Sequence, residues 1–248
     1  FASVASLPRL ITFLLVESVY GTHFRFGSLS WSRDKSKPNK YELVLKVHLA
    51  YRKGSLGGNH NVGDEFYANR IDWGDRKRDR AGPMTIGPGG AFKDWNDFTG
   101  IMRHTYSQAW LDKQRGGAFK ISYSSCCRIS TLKYNRDNRY YVHTVVPIKA
   151  FKAFSKGPEV NIFAMLTMST LQNPAKANVL ASDGLGGSNL KYSWATKEES
   201  KMRTSPKDYK VPFALNSMTG ALTWDTSAMT KSDHGLYPAQ IKVENTEG

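Results

Sequence analysis

Ile71-Asp72-Trp73-Gly74-Asp75, then His104-Thr105-Tyr106, then Phe119-Lys120-Ile121-Ser122-Tyr123-Ser124-Ser125-Cys126-Cys127-Arg128 follow one another along this 248-residue chain. In the third run, Phe119, Ile121 and Tyr123 alternate with Lys120 and Ser122, the period of a half-buried strand. The first run reads as an ordered turn. Asp carboxylates accept backbone N–H groups in turns, and Gly reaches conformations closed to other residues. A catalytic acid/base pair is the competing reading of Asp72 and Asp75, but the turn accounts for both carboxylates.

The same period extends on both sides. Tyr41, Leu43, Leu45, Val47, Leu49 and Tyr51 alternate with Glu42, Lys46, His48 and Arg52, which predicts a long half-buried strand. Phe24 and Phe26 precede Gly27, while Leu29 and Trp31 follow on the other parity. A bulge at Gly27 would bring both pairs to one face. Residues 139–146 form another strand candidate, and Asn135 to Asn138 reads as a hairpin turn. Residues 54–63 and 74–91 read as loops, and residues 95–114 are ambiguous enough to contain a short helix. A joint is expected at 147–158. Beyond it, four apolar strands are expected: Val160 to Met168; Leu190, Tyr192 and Trp194; Leu222 and Trp224; and Tyr237 to Val243.

Ile71 to Asp75 resembles the aromatic-Gly-Asp turn of the polycystic-kidney-disease (PKD) repeat. His104-Thr105-Tyr106 and Phe119 to Tyr123 resemble its late strand pair. Arg76 stands where that turn usually has Gly. Pro212-Phe213-Ala214-Leu215-Asn216-Ser217-Met218-Thr219-Gly220-Ala221-Leu222-Thr223-Trp224, followed by His234-Gly235-Leu236-Tyr237, resembles the signature of cadherin-like and putative-Ig repeats. His23-Phe24-Arg25-Phe26-Gly27-Ser28-Leu29-Ser30-Trp31 and Ser124 to Arg128 also resemble runs of large secreted proteins. The resemblance implies an all-β chain of two tandem immunoglobulin-like β-sandwiches: a PKD-like unit at 23–148 and a cadherin-like unit at 149–248. Cadherin-like relatives carry acidic D-x-D-G-D runs. Here Ala181 to Ser188 keeps one carboxylate, whereas calcium takes six to eight oxygens, so no metal site is expected.

Composition restricts the partners. Lys and Arg number 35 against 21 Asp and Glu, a formal charge of +14 that favours polyanions. Leu10 to Val16, an apolar run after Arg9, reads as the core of a signal peptide at 1–22, with a buried first strand as the alternative. A secreted or cell-surface location then favours an extracellular protein or an acidic glycan as partner over nucleic acid. No apolar run reaches the roughly 20 residues of a membrane-spanning helix, and an anchor beyond residue 248 is left open.

The six histidines are scattered, and no nucleophile, phosphate-loop or dinucleotide motif occurs, so neither catalytic residues nor a cofactor are expected. Arg76, Lys77, Arg78 and Arg80 are the candidate anion-binding group, against the plainer reading of a solvated loop. Arg33, Lys35, Lys37 and Lys40 form a second basic stretch. Cys126 and Cys127 are adjacent. Strand parity turns Cys127 inward and Cys126 outward as free thiols, with a bridge between them as the alternative. These readings point to a non-catalytic adhesion or matrix module. The alternative is a carbohydrate-binding accessory region of a larger extracellular hydrolase.

Overall fold

The alternation from Tyr41 to Arg52 is realised as one continuous strand. A computed structural model describes residues 24–54, 61–87, 95–114, 117–160, 168, 173–183 and 189–246. The signal peptide expected at 1–22, most of the strand expected at Val160 to Met168 and the stretch Gly184 to Ser188 lie outside these residues. In chain order the elements are β1 (Phe24–Arg33), β2 (Tyr41–Arg52), β3 (Glu65–Phe66), β4 (Arg70–Asp72), β5 (Arg78–Arg80), β6 (Met84–Ile86), β7 (Trp95–Tyr106), α1 (Gln108–Lys113), β8 (Ala118–Ser125), β9 (Tyr140–Pro147) and α2 (Ile148–Lys152). The later chain contributes β10 (Glu159–Val160), β11 (Ala175–Asn178), β12 (Ala181–Ser182), β13 (Leu190–Trp194), α3 (Lys197–Ser200), β14 (Phe213–Leu215), β15 (Ala221–Trp224) and β16 (Ile241–Asn245). The fold is all-β, with antiparallel pairing between its strands.

A five-stranded sheet in the order β1-β2-β7-β6-β3 faces a four-stranded sheet in the order β5-β4-β8-β9. Period two on each strand puts Leu43, Leu45, Val47 and Leu49 of the first sheet against Ile71, Phe119, Ile121 and Val146 of the second, all in one buried cluster. The Trp31 indole N–H donates to Val145 O at 3.1 Å and ties the two sheets at one edge. The later strands form smaller sheets, β11-β15-β14, β13-β16 and β10-β12. They enclose two small clusters, one around Val179, Leu190, Tyr192 and Leu222, the other around Ala175, Val211 and Trp224.

Several expectations shift in position. The β1 bulge falls between Phe24 and Phe26 rather than at Gly27. Phe24 alone therefore turns into the core, and Phe26 lies on the other face beside His48. Gly27 has another role: a Cβ there would stand 2.9 Å from the Phe24 ring. The loop expected at 74–91 contains β5 and β6, each three residues long, too short for periodicity to reveal. The ambiguous 95–114 stretch divides into β7 and α1, with the Ser107 hydroxyl accepting from Trp110 N at 3.2 Å as the helix cap. Within the expected joint, α2 sends Phe151 into the first cluster, where it is fully buried.

Asn135 to Asn138 is not a tight hairpin turn. It belongs to the longer loop 126–139, which docks on the later half of the chain. The Asn135 carboxamide accepts from Arg203 N at 2.7 Å and Thr204 N at 3.0 Å, and donates to Thr204 O at 2.8 Å. Tyr134 stacks on Tyr209 with ring centroids 4.1 Å apart. The Arg128 guanidinium donates to Arg139 O and to Ser200 O. Burial pushes that guanidinium down to about 10.

Candidate functional site

The turn after β4 is assembled from its own carboxylates. Asp72 Oδ1 accepts from Gly74 N at 3.0 Å and Asp75 Oδ1 from Lys77 N at 3.1 Å. Gly74 has φ +83°, and a Cβ there would lie 2.6 Å from Lys120 O, so only Gly fits against β8. Arg76 adopts φ +71°, the left-handed conformation that Gly would supply at this place. Trp73 is fully buried, its indole N–H donating to Asp79 Oδ2 at 2.7 Å. Its ring stacks on His104 at 4.8 Å, and Tyr106 donates to Trp73 O at 2.9 Å. Asp72 and Asp75 are thus occupied by structure.

The four basic residues divide. Arg76 and Lys77 lie exposed on the turn, while Arg78 and Arg80 stand two apart on the edge strand β5. Arg78 Nε donates to Asp72 Oδ2 at 2.8 Å. Arg80 sits across the sheet from Arg70, the two directly opposed in the β4–β5 register. Among the described residues neither Arg70 nor Arg80 has a carboxylate partner. Arg70 was not singled out by the sequence, because strand register and not adjacency brings it to Arg80.

Arg70 and Arg80 border a cleft of about 560 Å³ at one end of the sandwich. Tyr67, 45% exposed, forms a wall, with the Arg80 guanidinium 5.7 Å from its ring centroid. Gly82 has φ +156°, and a Cβ there would be 2.7 Å from the Tyr67 ring, so the ring is seated against bare backbone. Tyr51, Tyr123 and Tyr140 form the floor. The Tyr51 hydroxyl lies 2.6 Å from that of Tyr123 and 2.7 Å from that of Tyr140. Burial raises all three phenols above their ordinary value, so the floor stays neutral.

The second basic stretch does not form a patch. Arg33 is buried, donating to Lys152 O at 2.9 Å and lying 3.9 Å from the Phe154 ring centroid, while Lys37 is paired with Glu42 at 2.8 Å. Cys126 and Cys127, expected as free thiols, are joined to each other by a disulfide, with a cis peptide between them. Both lie beyond the end of β8, so strand parity does not govern them; Cys126 is exposed and Cys127 half-buried. Among the described residues no group of His, Cys, Asp or Glu is placed to hold a metal, and no helix is long and apolar enough to cross a membrane.

Residues 25–149, half of the chain, match the family model described as integrin beta-like protein A-E, N-terminal. Integrin beta-like protein B of Dictyostelium discoideum is 25% identical over 241 residues, which cover 96% of this chain and 11% of that protein. Integrin beta-like protein A of the same organism is 24% identical over 259 residues, covering 98% of this chain and 12% of that protein. The chain therefore spans about a ninth of the length of these relatives. No solved structure matches. The matched segment runs from β1 into α2 and takes in both sheets of the large sandwich, and the chain belongs to the family of integrin beta-like proteins A-E, defined by their N-terminal region.

Proposed function

We propose that this chain is a non-catalytic, extracellular adhesion module of a secreted or cell-surface protein. The observation that carries the reading is the family match, with relatives named integrin beta-like along almost the whole chain. Within this reading, residues 1–22 are a signal peptide, residues 23–148 a PKD-like unit and residues 149–248 a cadherin-like unit. The motifs around Trp73 and Trp224 support the two units, and the Phe151 packing carries the first slightly past its expected end.

The ligand proposed for the module is an acidic polysaccharide bound through Arg76, Lys77, Arg78 and Arg80. Their exposure and the net charge of +14 support it. Single exposed charges contribute little in water, so the group acts together. The test is elution of the 248-residue protein from a heparin column. The variant with all four residues changed to Ser is expected to elute at clearly lower salt than the parent, with its melting temperature nearly unchanged. Equal elution of the two proteins overturns the basic group as a ligand site.

A further inference from the structure

We propose that the cleft between Arg70 and Arg80 binds the acidic group of a saccharide, a uronic carboxylate or a sulfate ester, with Tyr67 as the wall on which the sugar ring stacks. The proposal rests on the acidic-glycan reading above and moves its centre from the turn to the end of the sandwich. Two like charges directly opposite on paired strands repel, and a register that opposes them lowers the stability of the sheet. An anion in the cleft that both residues line relieves that repulsion, and a guanidinium group gives carboxylates and sulfates charge-assisted, forked hydrogen bonds. Arg78, by contrast, is already occupied by Asp72.

Shape and polarity agree with this occupant. The cleft of about 560 Å³ lies within the ~300–1,000 Å³ of small-ligand sites. One wall is an exposed aromatic ring held by Gly82, and apolar sugar faces pack on such rings. The neutral tyrosine floor adds hydroxyls without adding negative charge. The cluster Arg70, Arg80 and Tyr67 thus combines a divided cation with a stacking surface, which the exposed turn residues Arg76 and Lys77 do not.

The experiment compares three variants of the 248-residue protein: Arg70→Ser with Arg80→Ser, Arg76→Ser with Lys77→Ser, and Tyr67→Ala. The first two remove the same charge, so they separate a local site from diffuse attraction. Affinity is read by biolayer interferometry against heparin fragments, hyaluronan fragments, neutral dextran and polyglutamate, with circular dichroism checking the fold. The cleft pair is expected to lose roughly tenfold or more in affinity for one of the two acidic saccharides, the turn pair roughly twofold or less, and Tyr67→Ala a loss without any change of charge. The stronger of the heparin and hyaluronan arms identifies sulfate or carboxylate as the recognised group. Equal losses from the two charge pairs overturn the cleft while leaving the acidic-glycan reading intact. Absence of binding to either acidic saccharide overturns both. Polyglutamate binding with the same dependence on Arg70 and Arg80 overturns the saccharide assignment in favour of an acidic peptide.

Discussion

His104 Nε2 lies 2.8 Å from Asp75 Oδ2, with side chains only 7% and 8% exposed. The pair links β7 to the turn after β4, and Trp73 stacks on the imidazole at 4.8 Å. Removing one member of a buried polar pair strands the other, at a cost that reaches ~3–5 kcal/mol when the stranded group is charged. His104→Ala is therefore expected to destabilise more than Asp75→Asn, which keeps a hydrogen-bonding group at the position. Trp73→Ala, opening a large cavity at the same place, is expected to cost ~3–5 kcal/mol. Urea unfolding followed by tryptophan fluorescence gives all three values. A Trp73→Ala loss under ~1 kcal/mol contradicts its anchoring role.

Arg76 provides a test in the opposite direction. A left-handed conformation costs a non-Gly residue roughly 1–2 kcal/mol, and the Arg76 side chain is exposed. Arg76→Gly removes that cost but enlarges the freedom of the unfolded chain, which returns part of the gain. The expected outcome is a stabilisation of up to ~1 kcal/mol, seen as a rise in melting temperature. A fall in melting temperature shows that the Arg76 side chain makes a contribution beyond its backbone conformation.

Long alternation made β2 and β8 legible, because one parity of each carries the buried apolar side chains, Leu43 to Leu49 in β2 and Phe119, Ile121 and Tyr123 in β8, whatever the burial of the other parity. The Ile71 to Asp75 turn was legible for a local reason: its hydrogen bonds close within five residues. β5 was not, since all three of its residues are exposed on a sheet edge and leave no apolar period. The Arg70–Arg80 pairing depends on register between two strands, which no property of either residue reports. Asn135 to Asn138 carries the residues of a hairpin turn, yet sits within the docked loop 126–139, because Asn and Asp at positive φ look alike in a free turn and in one seated on a distant surface.

Acid is expected to weaken the ion-pair cluster of Asp34, Glu42 and Arg103 on the five-stranded sheet. The Asp34 carboxyl is held at about 2, below its ordinary value, first by the Ser36 hydroxyl and then by the Ser36 N–H and Arg103. Glu42 is also lowered, chiefly by its hydrogen bond from Lys37. A depressed folded-state value means stability that is present above the ordinary carboxyl range and lost as pH falls through the folded value. Asp34→Asn should therefore differ from the parent in melting temperature at pH 6, and the difference should close between about pH 4 and pH 2. A difference that is constant across that range removes the carboxylate as its source.

Coupling between the two parts of the chain is expected to depend on Asn135. Its carboxamide satisfies Arg203 N, Thr204 N and Thr204 O, while neighbouring Tyr134 stacks on Tyr209 and its hydroxyl accepts from Lys210 N at 2.9 Å. Asn135→Ala deprives two backbone N–H groups of their acceptor, each at a cost of ~1–3 kcal/mol if water does not replace it. The residue contributes to none of the three hydrophobic clusters, so that loss falls on the docking of loop 126–139 and not on a core. In the parent, calorimetry is expected to show strongly overlapping unfolding of the two parts; in Asn135→Ala the transitions should separate, the smaller-cored later part melting first. Hydrogen exchange at Arg203 and Thr204 should accelerate in the variant while exchange within β2 and β8 stays at the parental rate. Faster exchange throughout β2 and β8 shows instead that Asn135 supports the large sandwich itself, and an unchanged calorimetric profile shows that the contact does not couple the two parts.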